Sequence, residues 1–289
     1  MMNAAKLRAR LAGPTALLCP GVYDALSALL AGQAGFEALY LSGASVAYTQ
    51  LAAPDIGLVA MTELAGVVAR IGERSTLPLI VDADNGFGNA VNVQRTVRVL
   101  ERAGAAALQL EDQSMPKRCG HLAGKTLIPR GEMVGKIRAA LDARDHALVI
   151  ARTDAIAVEG FDRAMDRADA YVGAGADVLF VEAPESHAQM QAIATRFATR
   201  LPLLANMVEG GRTPLATTDE LGAMGFRLVL FPGGTVRSMV RALQDYFATL
   251  RRDGTTQHLG GQMLDFSELQ SVLGTDALLR AGAAYAEEA

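Results

Sequence analysis

Apolar residues in this chain come in short unbroken runs. Each run is followed, after a polar turn, by a stretch whose apolar positions recur every three or four residues. The first pattern suits strands covered on both faces, and the second suits the helices that cover them. Strands are predicted at 16–22, 38–42, 79–83, 106–111, 148–153, 178–182, 203–207 and 228–231. Helices are predicted at 24–34, 62–74, 91–103, 131–143, 161–174, 186–199, 218–224 and 235–250. Glycine follows Ala103, Ala174 and Met224, at helix ends where a left-handed C-cap favours it. Strict alternation without a long linker predicts an α/β fold, a (β/α)8 barrel of TIM type rather than an open doubly wound sheet.

The barrel is expected over about 15–251, within a single domain of 289 residues. Further helical periods at 266–273 and 276–288 form an extension from about residue 260, placed to cap the barrel or to pack on a neighbouring subunit. The first ten residues are amphipathic and basic and lack the apolar stretch of a secretory signal. A helix lying across the barrel is expected there, with a transit peptide as the rival reading. One connection breaks the rhythm: 113–130 has no apolar period and contains Pro116, Gly120, Gly124 and Pro129, the profile of a lid.

Half of the residues are hydrophobic (51%), enough for a large aliphatic core. The net charge of −4 gives no pull toward nucleic acid or an anionic membrane. No apolar run reaches the roughly 18 residues that span a bilayer. Two cysteines, Cys19 and Cys119, are too few for a disulfide scaffold, so a reducing cytoplasm with both thiols free is expected.

The chemistry-bearing residues collect where these strands end. Asp82 and Asp84 alternate at the end of the third strand, so both carboxylates should point the same way and repel unless a cation sits between them. An all-oxygen set suits Mg²⁺ or Mn²⁺ better than zinc. Glu111, ending the next strand, is a third contributor, and the competing reading is turn formation by Asp84-Asn85-Gly86. Arg152 ends the fifth strand, where a guanidinium can hold a substrate carboxylate bidentately or pair structurally with Asp154 or Glu182. Ser42-Gly43-Ala44 offers successive backbone N–H groups for an anion, or an ordinary turn. Cys119 lies among Lys117, Arg118 and His121; positive neighbours favour the thiolate, and closure over an anionic substrate works the other way. Cys19 is expected in the core, and His146, His187 and His258 in solvent.

Together these residues resemble the isocitrate lyase/phosphoenolpyruvate mutase superfamily. The resemblance rests on VDADNGFG at 81–88, LEDQ at 110–113, KRCGH at 117–121, ARTD at 151–154 and ANMVEGGRTP at 205–214. KRCGH separates the carbon–carbon lyases from the phosphonopyruvate mutase branch. Asn206 in its MVEGG context is most similar to the 2-alkylmalate (dimethylmalate) lyase branch, with 2-methylisocitrate lyases and carboxyphosphonoenolpyruvate phosphonomutases as neighbours. The resemblance implies that Asp82 contacts Mg²⁺ (or Mn²⁺) directly, with Asp84, Glu111 and Asp55 holding its waters. It implies that Ser42, Gly43, Ala44 and Arg152 grip the carboxylate of the 2-hydroxy or 2-keto acid half, with Tyr40 taking the hydroxyl proton. Arg118, Gly120, His121, Glu182 and Asn206 would surround the other carboxylate, and Cys119 would protonate the enolate. It further implies a homotetramer with C-terminal helices exchanged between subunits.

The activity so expected is Mg²⁺-dependent cleavage of a 2-hydroxydicarboxylate, within a wider class of oxo- or hydroxy-di- or tricarboxylates. Oxaloacetate hydrolase or decarboxylase, carboxyphosphonoenolpyruvate phosphonomutase, and a non-catalytic acid binder are the alternatives. The chain departs from the family pattern twice. Ala44 stands where isocitrate and methylisocitrate lyases carry glycine, and Phe231-Pro232-Gly233-Gly234-Thr235 replaces a Tyr-Pro-Leu type segment. The two glycines predict tolerance of a substituent bulkier than methyl.

Overall fold

The apolar runs form eight strands: β1 (Leu17–Val22), β2 (Leu39–Leu41), β3 (Leu79–Asp82), β4 (Ala107–Glu111), β5 (Leu148–Thr153), β6 (Val178–Val181), β7 (Leu203–Asn206) and β8 (Leu228–Phe231). They are parallel, each pairs with the next, and β8 closes on β1, so the sheet is a closed barrel. This computed structural model describes residues 2–120 and 124–286. The helices are α1 (Met2–Leu11), α2 (Ala25–Gln33), α3 (Gly43–Leu51), α4 (Met61–Arg74), α5 (Ala90–Ala103), α6 (Arg130–Ala143), α7 (Ile156–Glu159), α8 (Phe161–Gly173), α9 (His187–Phe197), α10 (Thr218–Met224), α11 (Gly234–Asp253), α12 (Phe266–Leu273) and α13 (Thr275–Ala283). The chain divides into two compact units, Met1–Val236 and Arg237–Ala289, with the boundary inside α11.

The eight units stand where the periodicity puts them, with two additions. Residues 43–51 form α3 and 156–159 form α7, both expected as loop. In α3 the residues turned inward are Gly43, Ser45, Val46 and Ala47, too small to produce an apolar period. Ser42 starts the helix by accepting the Ser45 N–H on its Oγ at 3.2 Å.

Two apolar layers hold the fold. Outside the barrel, helices pack on the strands through residues such as Val68, Val97, Ile137, Met190 and Phe197. Inside it, Leu17, Cys19, Ile80, Ile150, Phe180, Leu204 and Leu230 fill the lumen, and Ala4, Leu7 and Leu11 of α1 join this cluster. The N-terminal helix is thus part of the core, worth roughly 1.5–3 kcal/mol for each fully buried leucine.

Strand periodicity then does something specific. Side chains two apart share a face, and stepping by two along the inner face leads from Ile80 to Asp82 and from Gln109 to Glu111. The same step leads from Ile150 to Arg152, from Phe180 to Glu182 and from Leu204 to Asn206. In-register neighbours bring Asp82 beside Gln109 and Glu111 beside Arg152. The lumen is apolar through its middle and becomes polar at the carboxyl ends of the strands, the face on which barrel enzymes carry their sites. Among the described residues, no helix is long and apolar enough to cross a membrane.

Candidate active site

Four carboxylates, those of Asp55, Asp82, Asp84 and Glu111, are buried at this end of the barrel. Asp82 ends β3, but Asp84 lies beyond the strand in a left-handed conformation (φ 48°). The expected alternation along one strand is therefore not what brings them together. A turn does: the Asp84 N–H donates to Asp82 Oδ1 at 3.2 Å, while Lys136 Nζ donates to the Asn85 carbonyl at 3.0 Å from behind. Gln109 Nε2 donates to the same Asp82 Oδ1 at 3.3 Å, which leaves Oδ2 turned toward Gly43. A Cβ at Gly43 would lie 3.3 Å from Asp82 Oδ2 and 3.5 Å from Asp84 Oδ1, so a side chain there would crowd the space over both.

Positive charge is short here. Lys117 Nζ pairs with Asp84 Oδ1 at 2.6 Å and with Asp55, and Arg152 Nη1 reaches Glu111 Oε2 at 3.2 Å. Arg152 is already shared with Asp154, donating from Nε at 2.9 Å and from Nη2 at 3.0 Å. Burial pushes Asp84 up to about 7, against the pull of Lys117, and Asp82 and Asp55 add to the rise. Burial likewise holds Glu111 well above the usual carboxylate range, with Arg152 opposing and Asp154 adding. Glu111 Oε1 has no hydrogen-bond partner among the described residues. Clustered hard oxygens, an unpartnered carboxylate oxygen and a local excess of negative charge are the chemistry that a hard divalent cation of the Mg²⁺ or Mn²⁺ kind favours. Among the described residues, however, no three His, Cys, Asp or Glu stand together as a ready metal-holding group.

On the other side of the mouth, the Arg152 guanidinium lies 5.2 Å from the centre of the Phe180 ring. Glu182 is buried beside it, and Asn206 Nδ2 lies 3.3 and 3.4 Å from the two Glu182 carboxylate oxygens. Asp154 is fixed from below, because its N–H donates to Asp112 Oδ1 at 2.9 Å. Asp112 in turn accepts from Tyr171 Oη at 2.7 Å and Thr153 Oγ1 at 2.8 Å, with Arg167 Nη1 at 3.4 Å. The salt bridge offered as the structural reading of Arg152 is thus present and serves to aim the guanidinium.

Tyr40 is buried beside Asp82 and Gln109. Burial first, and then Asp82, raise its phenol well above 10, so at neutral pH it carries its proton. Ser42 caps α3, whose first-turn N–H groups at Gly43 and Ala44 have no carbonyl of their own helix to bond. Cys19 is fully buried in the lumen, and His146, His187 and His258 are exposed, all as expected.

The described parts of the loop, 113–120 and 124–130, lie against this cluster. The base of the loop is stitched by an antiparallel bridge between Gln113 and Leu127 and by Ser114 N–H to the Thr126 carbonyl at 2.9 Å. The Cys119 N–H donates to the Asp55 carbonyl at 3.2 Å. A Cβ at Gly120 would lie 2.5 Å from both Arg152 Nη2 and Glu182 Oε1, so the turn is pressed against the arginine and needs glycine to do so. Arg118 stands at the outer side of the loop. Gln113 clamps its backbone through two hydrogen bonds of 2.8 and 2.9 Å, and the side chain is exposed with Nη1 beside Gly124. His121 lies outside the described residues. In the segment 231–235, Glu209 Oε1 lies 2.9 Å from where a Cβ on Gly234 would sit.

A closed parallel barrel with an acidic cluster, a buried arginine and a cysteine-bearing loop at its carboxyl face has the layout of a barrel enzyme. The chain belongs to the phosphoenolpyruvate phosphomutase family, whose model matches residues 7–251, and is an enzyme of the isocitrate lyase/phosphoenolpyruvate mutase superfamily. It is 43% identical over 282 residues to 2,3-dimethylmalate lyase from Eubacterium barkeri, covering 96% of each chain. It is 48% identical over 258 residues to 2-methylisocitrate lyase from Aeropyrum pernix, covering 89% of this chain and 83% of the relative. Among solved structures, an oxaloacetate acetylhydrolase in complex with 3,3-difluorooxalacetate superposes with a TM-score of 0.92 at 35% identity, covering 99% of this chain and 98% of the other.

Proposed function

We propose that this protein is a Mg²⁺- or Mn²⁺-dependent carbon–carbon lyase that splits a 2-hydroxydicarboxylate of the 2-alkylmalate or methylisocitrate kind into a 2-keto acid and a carboxylate. The observation that carries the reading is the pairing of the oxygen cluster with a thiol on the loop above it. A lyase needs both, because cleavage leaves negative charge on oxygen and then on carbon.

Arg152, aimed by Asp154, binds the carboxylate of the hydroxy-acid half together with the N–H groups of Gly43 and Ala44. For the C2 hydroxyl proton to pass to Tyr40 as the C2–C3 bond breaks, the phenol must first lose its own proton to solvent, and the proton then taken from the substrate leaves by the same route. The bonding pair remains on the carbon alpha to the second carboxylate, which Gly120, Glu182 and Asn206 surround. Cys119 gives its Sγ proton to that carbon and regains one through solvent, so substrate and products contain the same atoms. Asp82, with Asp84, Glu111 and Asp55, would hold a divalent cation, whose positive charge would favour the forming oxyanion and the Tyr40 phenolate. The closed loop keeps water from the carbanion.

Hydrolysis of oxaloacetate is the second reading, favoured by the near-complete superposition on an oxaloacetate acetylhydrolase. A kinetic panel of 2,3-dimethylmalate, methylisocitrate and oxaloacetate, each with and without Mg²⁺, tests the choice. Metal-dependent keto-acid release from an alkylmalate or methylisocitrate supports the lyase, and turnover of oxaloacetate alone overturns it. The assembly we propose is a homotetramer in a reducing cytoplasm. Exposed Phe266, Leu278, Leu279 and Tyr285 on the C-terminal unit support contact with further copies, which light scattering in solution would measure.

A further inference from the structure

Lys125 stands on the far limb of the loop from Cys119, and its side chain is only 1% exposed. Burying an ammonium is costly unless its donors are met. Here, among the described residues, two of the three are met, by acceptors of different kinds. Nζ donates to Asp154 Oδ1 at 2.8 Å and to the backbone carbonyl of Gly120. Asp154 has no need of this second cation, because Arg152 already engages both its oxygens. The Gly120 carbonyl is what the lysine adds, and it belongs to the residue after Cys119.

Cys119 is therefore tied on both sides. Upstream, its own N–H bonds the Asp55 carbonyl, and Lys117 pairs with Asp55 and Asp84. Downstream, Lys125 draws Gly120 onto Asp154, whose Oδ1 also accepts from Arg152 Nη2. One carboxylate oxygen thus serves the arginine that grips substrate and the lysine that seats the turn bearing the thiol.

We infer that Lys125 is a positioning residue, coupling the seating of Cys119 to the Arg152–Asp154 pair. The inference rests on the proposed lyase reading for the role of Cys119, but its geometry can be tested without turnover. The probe is the rate of Cys119 alkylation by iodoacetamide, followed by peptide mass, with Mg²⁺ and oxalate added to close the site. Cys19, fully buried, serves as the internal control. In the parent protein Mg²⁺ and oxalate should slow alkylation at least about tenfold. In Lys125→Met, which keeps length and loses charge, the slowing should fall below about twofold while calorimetric oxalate affinity stays within about threefold. If the parent is a lyase, kcat of Lys125→Met should drop about a hundredfold with little change in KM. Lys125→Gln, which keeps a donor for the Gly120 carbonyl, should restore part of the protection.

Protection in Lys125→Met equal to that of the parent overturns the inference, as does loss of the fold in both variants, which would make Lys125 structural. Absence of lyase turnover in the parent counts against the proposed reaction and leaves the alkylation result to judge the lysine.

Discussion

Replacing Gln109 by methionine separates stability from function more sharply than any other change at this site. Gln109 is fully buried in the lumen. Its Nε2 donates to Asp82 Oδ1 at 3.3 Å and its amide opposes the rise of the Tyr40 pKa, while Oε1 has no partner among the described residues. Methionine has nearly the same length and shape, so no large cavity opens. Losing a hydrogen bond to a charged acceptor costs about 1.5–3 kcal/mol, and a long bond belongs at the low end. Removing a buried oxygen without a partner returns about 1–3 kcal/mol. The two nearly cancel, so Tm should move by no more than about 4 °C. Function has no such cancellation. Among the described residues Asp82 then keeps only the hydrogen bond from the Asp84 N–H, and Tyr40 loses the amide that opposes its raised pKa. We expect kcat/KM to fall about tenfold to a hundredfold and calorimetric Mn²⁺ affinity to weaken with it. Scanning calorimetry beside steady-state kinetics makes the comparison. A destabilisation above about 3 kcal/mol would show that Oε1 is satisfied after all; unchanged activity and metal affinity would remove the amide from the site.

Cys119→Ser should cut lyase turnover by about 10²- to 10⁴-fold while product keto acid still binds, and an unchanged rate would refute the thiol's role. Glu101 gives a pH test away from the site: burial raises its pKa, but the N–H groups of Asp145, His146 and Ala147 outweigh burial and leave it lowered. A lowered folded pKa means stabilisation that is present above the unfolded value of about 4.3 and lost as pH falls through the folded value. Glu101→Gln should therefore cost about 1 kcal/mol at pH 7 in urea unfolding, reduced by partial exposure, and the gap should shrink in acid; a gap constant with pH refutes the assignment. At the segment 231–235, substrates with substituents larger than methyl should be turned over, and Gly234→Val should narrow that range; activity confined to malate-sized substrates would contradict the reading.

Much of the barrel was legible because its signals are local. Unbroken apolar runs mark strands buried on both faces, and the glycines after Ala103 and Met224 sit at left-handed positions, with φ of 121° and 118° for Gly104 and Gly225. The polar ends of the strands were legible for the same reason, since Asp82, Arg152, Glu182 and Asn206 each follow an inward apolar residue by two positions, and Glu111 follows the inward Gln109 in the same way. Helix α3 was hidden because small residues carry no period. The geometry of Asp84 was misjudged because a left-handed residue after a strand looks, in sequence, like one more alternating position.

The supporting residues were missed for a different reason. Asp112 points away from the lumen and gathers Thr153, Tyr171 and Arg167 behind the sheet. Gln113 acts through the backbone of Arg118, and Lys125 through a carbonyl across a turn. None is adjacent in sequence to the group it finally orients, and none sits at an inward strand end. Residue type and spacing expose groups that would touch a substrate. Those that hold such groups in place appear only when partners dozens of residues apart are brought together, as Asp112 and Tyr171 are at 2.7 Å. A catalytic arginine at a strand end can therefore be found by reading along one strand, but what keeps it rigid depends on the next strand, the helix behind it and the loop above. Because Arg152, Asp154, Asp112 and Lys125 share hydrogen bonds, substitutions among them should not be additive, and double-mutant cycles across Lys125 and Asp112 should reveal coupling carried by Asp154.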